Sequence, residues 1–498
     1  MLVARKKGGF VERPSVDDYF SDWKQREAFV QEMIPVIGRL FSQRNVDILI
    51  YGRPLHNRSV TFIMKSHRFV RQAERNEMSE FETHPVLMAM VKLDLWHAQI
   101  DLGKLTVKYM KHQDKKGAEA ETADDFVRQE LGYLDGNKRK PIDKSQDVVL
   151  YGFGRIGRLM ARLLIERTST GEVMRLRAIV VRPAGTDDLE KRASLFTADS
   201  VHGAFQGTLR VDEENNCLIA NGNVIRVIHA DSPDEIDYTK YGINDALIID
   251  NTGKWRDEEG LGLHLKAKGA SKVILTAPGK GSLKNIVYGI NDDEIMEDDN
   301  IVTAASCTTN AIAPVLKVVN DKLGIEHGHI ETVHAYTNDQ NLIDNYHKKS
   351  RRGRSAALNM VLTDTGAAKA VVKVVPDLAG KLTGNAIRVP TPNVSMAIMN
   401  LTLRQETNKE KLNEFLRDIA LHSKLQNQIS YTESKDAVSS DFVGTREAGI
   451  VDSNATIVNG KNCVLYLWYD NEFGYCCQVA RMVYKMAGVS YQAYPVET

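Results

Sequence analysis

Apolar side chains recur along this chain with two different periods, and the change falls near residue 145. In residues 1–143 the period is helical. After Ser15, the residues Val16, Tyr19, Phe20, Trp23, Val30, Met33, Ile34, Ile37, Leu40 and Phe41 fall mostly three or four apart, which places them on one helix face. Ser15 with Asp18 resembles a capping box, and Pro35 predicts a kink. Thr83 and Pro85 open a second segment, Val86 to Trp96, apolar nearly all round and so predicted as a buried helix. A shorter helix is predicted from Ala123 to Leu134. The polar run Gly136-Asn-Lys-Arg-Lys-Pro-Ile-Asp-Lys144 marks a boundary. Strand alternation is almost missing before it, so the expectation for 1–143 is a helical domain.

From residue 147 short apolar strands alternate with helical patterns. Strands are predicted at Val148–Tyr151, Leu176–Val181, Ala246–Asp250, Val273–Thr276 and Ile301–Ala304, with a helix over Arg155–Arg167. Such alternation predicts an α/β fold, a doubly wound parallel sheet with helices on its faces.

Composition narrows the class. The 498 residues carry 65 basic and 65 acidic side chains, so neither a nucleic-acid partner nor an acidic tail is expected. Five cysteines, Cys217, Cys307, Cys463, Cys476 and Cys477, are too few and too scattered for a disulfide framework. Uncharged apolar runs are too short to span a membrane, and Met1-Leu-Val-Ala-Arg-Lys-Lys lacks the apolar core of a secretory signal. A cytoplasmic protein without a metal site is the expectation.

The first strand–helix junction reads Gly152-Phe-Gly154-Arg-Ile-Gly157. Gly152 allows a tight turn, Gly154 lets backbone approach a pyrophosphate, and Gly157 lets helix and strand pack. The helix N-terminus then faces the negative charge. The second strand ends Val181-Arg182-Pro183, without the acidic residue that would bond adenosine ribose hydroxyls. Arg182 suits a 2′-phosphate, hence NADP, or is simply a solvent-exposed strand end; position alone leaves both open.

Cys307 follows the strand at Ile301 and precedes the apolar pattern Ala311–Val319, so it is predicted at a helix N-terminus. There the dipole should lower its pKa and favour a nucleophilic thiolate. The other four cysteines read as inert. His334 ends a predicted strand from which an imidazole could reach that thiol, although spacing alone does not single it out.

Six motifs now stand in order: Gly152-Phe-Gly-Arg-Ile-Gly-Arg158, Ala305-Ser-Cys-Thr-Thr-Asn310, His334-Ala-Tyr-Thr-Asn-Asp-Gln340, Thr365-Gly-Ala-Ala-Lys369, Arg388-Val-Pro-Thr-Pro-Asn-Val-Ser395 and Trp468-Tyr-Asp-Asn-Glu-Phe-Gly-Tyr475. Together they resemble phosphorylating glyceraldehyde-3-phosphate dehydrogenase from about residue 147 to the end. The resemblance implies that Cys307 attacks an aldehyde and that His334 takes the hydroxyl proton as hydride leaves to a nicotinamide. Inorganic phosphate then cleaves the thioester. It implies a substrate-phosphate site from Thr337 and Arg388 with Asp339 nearby, and a second anion site from Ser306, Thr308, Thr365 and Gly366. For the cofactor it adds Arg155, Ile156, Thr252, Thr276, Asn471 and Tyr475 to Gly152, Gly154, Gly157 and Arg182. The implied partners are glyceraldehyde 3-phosphate, phosphate and three further copies in a homotetramer, because the loop 337–355 crosses a subunit interface in the family.

The resemblance also implies a division into 1–143, a nucleotide-binding Rossmann domain over 144–306, an α+β catalytic domain with a mostly antiparallel sheet over 307–468, and a segment 469–498 whose helix returns to the first domain. Four features depart from the family. Arg182 replaces an aspartate, and the loop Asp339–His347 lacks a Leu-Pro pair that NAD-specific members carry. Both argue for NADP use, or dual use with NAD, and NADP preference would point to gluconeogenic or biosynthetic flux. Tyr151 replaces an asparagine, and residues 1–143 have no counterpart; helical packing onto the catalytic core or its symmetry mates is the expectation for them. Erythrose-4-phosphate oxidation, and a redox- or metabolite-responsive binding role acting through the extension, are the competing functions.

Overall fold

The computed structural model describes residues 18–496 except 186, 364 and 365. Its contacts divide the chain into two compact units.

The larger unit comprises Ser145–Thr168 and Met174–Gly488 and carries two sheets. In the first, Gln146–Tyr151 lies at the centre. Met174–Val181 and Asn223–His229 extend it on one side, and Ala246–Asp250, Ala270–Leu275 and Ile301–Thr303 on the other, all parallel. Cys217–Ala220 and Leu209–Asp212 add an antiparallel edge. Val148, Val149 and Leu150 are wholly buried, as a central strand covered on both faces requires. The order of strands reverses beside Gln146–Tyr151, and the crevice at such a reversal is where open α/β sheets bind ligands. The helix Phe473–Met486 packs against Arg155–Glu166.

The second sheet runs Val361–Thr363, Leu382–Val389, Ile325–Ala335, Ser395–Leu403, Asn462–Tyr469, Gly449–Asp452, Ile429–Thr432. Its pairings are mostly antiparallel, but Ile325–Ala335 and Leu382–Val389 run parallel, with His334 opposite Arg388. Helix Cys307–Leu323 lies against this sheet, its Val315, Leu316 and Val319 in one core with Met399, Leu465 and Leu467.

The smaller unit comprises the described residues up to Lys144, with Ser169–Val173 and the chain from Val489. Three of its helices, Tyr19–Arg44, Glu80–Met90 and Ala123–Leu131, answer to the three expected, and Val60–Glu74 and Leu102–Lys116 are two that the periodicity did not predict. It is nevertheless α/β rather than helical. A four-stranded sheet runs Arg53–Pro54, Asp47–Ile50, Ala98–Asp101, Gln492–Tyr494, so the far end of the chain supplies an outer strand, parallel to Ala98–Asp101. Strands of two to four residues are too short to print an alternation on the sequence. Ser15 lies outside the described residues; Asp18 itself caps the first helix, accepting from Ser21 N at 2.9 Å. The third helix starts earlier than expected. Ser79 and Glu82 form its capping box, which leaves Thr83 and Pro85 inside it.

Candidate active site

Cys307 is the first residue of its helix, and the turn before it is held from both sides. Ser306 caps the helix, accepting from Thr309 N at 3.0 Å. Ala305 sits at φ 51°, a left-handed conformation that a residue with a Cβ seldom adopts. Tyr475 Oη donates to its carbonyl at 3.1 Å, and Asn310 Nδ2 donates to Ala304 O at 2.8 Å.

The parallel ladder brings His334 and Arg388 side by side at this helix end. His334 Nε2 lies 3.6 Å from Cys307 Sγ. His334 Nδ1 lies 2.7 Å from Ala335 O, and Arg388 Nη1 is 2.7 Å from Nδ1 and 3.0 Å from Ala335 O. With the proton on Nδ1, donated to Ala335 O, the Nε2 lone pair faces the thiol, the tautomer a base needs; the approach of Arg388 Nη1 suits the other tautomer, in which Nδ1 accepts. Burial, reinforced by the Arg388 charge, pushes His334 down to about 3, so the ring is neutral at physiological pH. The expectation of a thiol lowered by the helix dipole needs correcting. Burial raises the Cys307 pKa, against the pull of Arg388, because desolvating a thiolate outweighs those favourable charges.

The anion residues sort unevenly. Thr308 Oγ1 is 3.0 Å from Tyr469 Oη, and the Tyr469 ring meets that of His334 edge-on at 6.1 Å. Thr337 bonds Asp339, whose carboxylate is paired with Arg352. Gly366 precedes the helix Ala367–Val374 with open space where a Cβ would be. Thr365 lies outside the described residues.

At the dinucleotide turn Gly152 has φ 93°. A Cβ on Gly157 would stand 2.3 Å from Gly152 O, so that position packs turn against helix. A Cβ on Gly154 would meet nothing within 4 Å, leaving backbone open to a ligand in front of the helix N-terminus. Thr252 Oγ1 donates to Asp250 Oδ1 at 2.7 Å, and Thr276 Oγ1 to Asp250 O at 3.1 Å. Both threonines therefore stand at neighbouring strand ends. Arg182 is exposed.

Comparison with known proteins adds the decisive observation. Residues 146–258 match the glyceraldehyde 3-phosphate dehydrogenase NAD binding domain, and residues 306–471 match the C-terminal domain of the same enzyme. A "glyceraldehyde-3-phosphate dehydrogenase-like protein" of Pseudomonas aeruginosa is 60% identical over 465 residues, covering 93% of this chain and 100% of its own. The chain belongs to the glyceraldehyde-3-phosphate dehydrogenase family. Glyceraldehyde-3-phosphate dehydrogenase of Zymomonas mobilis is 39% identical over 342 residues (68% of this chain, 98% of that protein), and glyceraldehyde-3-phosphate dehydrogenase 2 of a Nostoc species is 41% identical over 334 (67% and 96%). The alignment with the Pseudomonas protein is longer than residues 147–498 can supply, so it reaches into the extension.

The family's NAD(P)-binding domain is thus present, and the open backbone at Gly154 fits a dinucleotide phosphate. Arg155, which the family resemblance sets at the pyrophosphate, is the first residue of its helix. Its Nε donates to Glu472 Oε1 at 2.6 Å and its Nη1 to Asp199 Oδ2 at 3.0 Å, so the guanidinium is committed to protein carboxylates. Ile156 is half-buried, its carbonyl 3.8 Å from Cys476 Sγ.

Several residues at this centre were given no role by the sequence, although Ser395 and Asp470 lie within its motifs. Ser395 Oγ accepts from Ala335 N at 3.0 Å and donates to Asn471 Oδ1 at 2.8 Å, tying the histidine strand to the asparagine that the family resemblance assigns to nicotinamide. Asp470 accepts from Glu472 N, Phe473 N and Gly444 N, and His202 Nε2 lies 3.0 Å from it. These groups fix the turn that carries Asn471. Among the described residues no group of three or more His, Cys, Asp or Glu could hold a metal ion, and no helix is long and apolar enough to cross a membrane.

Proposed function

We propose that this family member oxidises glyceraldehyde 3-phosphate with phosphate uptake, using Cys307 as nucleophile and His334 as base. The observation that carries the proposal is the 3.6 Å separation of Cys307 Sγ and His334 Nε2 at a helix N-terminus. Sulfur adds to the aldehyde carbon while the thiol proton passes to the carbonyl oxygen, giving a hemithioacetal. Nε2 of the neutral imidazole would take the hydroxyl proton, and the Cys307 N–H with His334 would stabilise the oxygen charge as it develops. A bound nicotinamide dinucleotide supplies the hydride acceptor. An oxygen of inorganic phosphate then attacks the Cys307 thioester, the thiolate leaves, and an acyl phosphate is released.

Arg388, half-buried beside His334, would engage the substrate phosphate with Thr337; Ser306, Thr308, Thr365 and Gly366 would hold the attacking phosphate. The cofactor reading is NADP over NAD. It is supported by the exposed Arg182 at the strand end, whose guanidinium has no protein partner among the described residues. A homotetramer is supported by Leu342, Ile343 and Tyr346, which stand 74%, 72% and 89% exposed on the loop 337–355. Steady-state turnover of glyceraldehyde 3-phosphate and erythrose 4-phosphate, with and without phosphate and with each cofactor, tests the reading. Phosphate-dependent turnover of the triose, abolished by Cys307→Ser, is expected. No turnover of the triose overturns the substrate, and a strong NAD preference overturns the cofactor.

A further inference from the structure

Five cationic side chains converge on a cavity of about 400 Å³ in the larger unit, and of the residues given a catalytic or binding role above only Asp339 borders it. Lys254 and Arg256 come from the turn after Ala246–Asp250, Lys280 from the turn after Ala270–Leu275, and Lys348 and Lys349 from the loop 337–355, with His347 between the strands of charge. In the single chain all five are exposed and none pairs with a carboxylate among the described residues, Lys348 and Lys349 lying on the loop 337–355 that the tetramer reading sets at a subunit interface. Lys254 Nζ lies over the ring of Trp255 at 4.3 Å, and Arg256 Nε donates to the Gly253 carbonyl at 2.8 Å.

The two acids on the rim do not neutralise them. Asp257 caps the next helix, accepting from Gly260 N at 2.9 Å, and Asp339 is paired with Arg352. A chain with equal numbers of basic and acidic residues therefore holds a local excess of unpaired cations drawn from three separate segments. Like charges gathered on a concave wall raise the local potential and concentrate anions there. Four of the five charges are lysine or flexible arginine donors without a planar partner, which suits tetrahedral phosphoryl oxygens better than a fixed carboxylate. The volume lies within the roughly 300–1,000 Å³ usual for small-molecule sites.

We propose that this cavity binds a small polyphosphorylated anion, one carrying two or more phosphoryl groups. Such groups could arrive on a free polyphosphate, or on the 2′-phosphate side of a dinucleotide, since Gly253 on the cavity wall follows Thr252 directly. The probe is inorganic tripolyphosphate, titrated calorimetrically into the full-length protein alone and with saturating NAD or NADP. One equivalent per chain is expected to bind, at least tenfold more weakly when salt rises from about 50 to 200 mM, because exposed charges are then screened. Lys254→Gln/Lys348→Gln/Lys349→Gln should weaken binding at least tenfold, and the corresponding triple arginine variant should retain it. Binding that persists with NADP present assigns the cavity to a free polyphosphate; binding displaced by NADP but not NAD assigns it to the 2′-phosphate. Absence of binding, or binding that the glutamine variant leaves within twofold, overturns the proposal. Because the titration needs no turnover, its failure leaves the dehydrogenase reading untouched.

Discussion

His334 is held neutral by its surroundings, and that has a measurable cost in acid. Its pKa is pushed down to about 3 in the folded chain, by burial and then by Arg388, against about 6.5 in an unfolded one. The unfolded state therefore binds a proton more readily below pH 6.5. The stability this group lends is complete above that pH and is lost progressively as pH falls toward 3. The loss is about 1.4 kcal/mol per pH unit, so about 2 kcal/mol between pH 7.5 and 5.0. Replacing the imidazole with a group of similar size that does not titrate, His334→Gln, should remove that share. Denaturant unfolding of the parent and variant at the two pH values checks it. Both proteins lose stability in acid through their carboxylates, but the drop should be smaller by about 2 kcal/mol in the variant. Equal drops in the two proteins would refute the inference that burial and Arg388 keep this ring neutral.

Three further outcomes follow from packing. Gly157→Ala sets a Cβ 2.3 Å from a backbone oxygen, so the dinucleotide turn must shift; about 1–3 kcal/mol of stability and at least tenfold in cofactor Kd should be lost, read by melting and by nucleotide fluorescence. Ser395→Ala leaves the Ala335 N–H without its partner and releases Asn471, costing about 1–3 kcal/mol and raising the KM for cofactor more than that for aldehyde. Tyr494→Ala empties a site where the ring is 8% exposed and its hydroxyl bonds Glu130 at 3.2 Å; about 3 kcal/mol should be lost from the smaller unit, seen as an earlier urea transition in Trp96 fluorescence.

Local chemistry was legible in the sequence, and long-range convergence was not. Gly152, Gly154 and Gly157 lie within one strand–turn–helix, so each role follows from its neighbours alone. The larger unit's strands at Ala246–Asp250 and Ile301–Thr303 begin on short apolar runs and stand where they were expected. His334 was singled out by a family motif, but its alignment with Arg388 depends on a parallel ladder that no spacing reveals. The thiol shift has the opposite sign to the one a helix N-terminus suggests, because burial is a property of the whole fold. His202 had no signal at all. Its neighbours Arg155, Asn393 and Asp470 are brought together from three distant segments.

The smaller unit was misread for the same reason, and its construction changes how residues 1–143 should be understood. Part of its sheet is not in the extension. Gln492–Tyr494 pairs along Ala98–Asp101, and Tyr133 Oη donates to Ala493 O at 2.6 Å, so both ends of the chain enter one fold. The dehydrogenase sequence is thereby set between two parts of a second unit rather than following a separable leader. Cutting away residues 1–143 would leave Tyr494 without Glu130 and the last strand without its neighbour, exposing an apolar edge that can pair elsewhere. A loss of activity after such a cut would then report an unpaired C-terminal strand as readily as a missing regulatory module. Removing the residues from Val489 onward together with 1–143 separates the two causes, because it takes away the whole sheet instead of half of it.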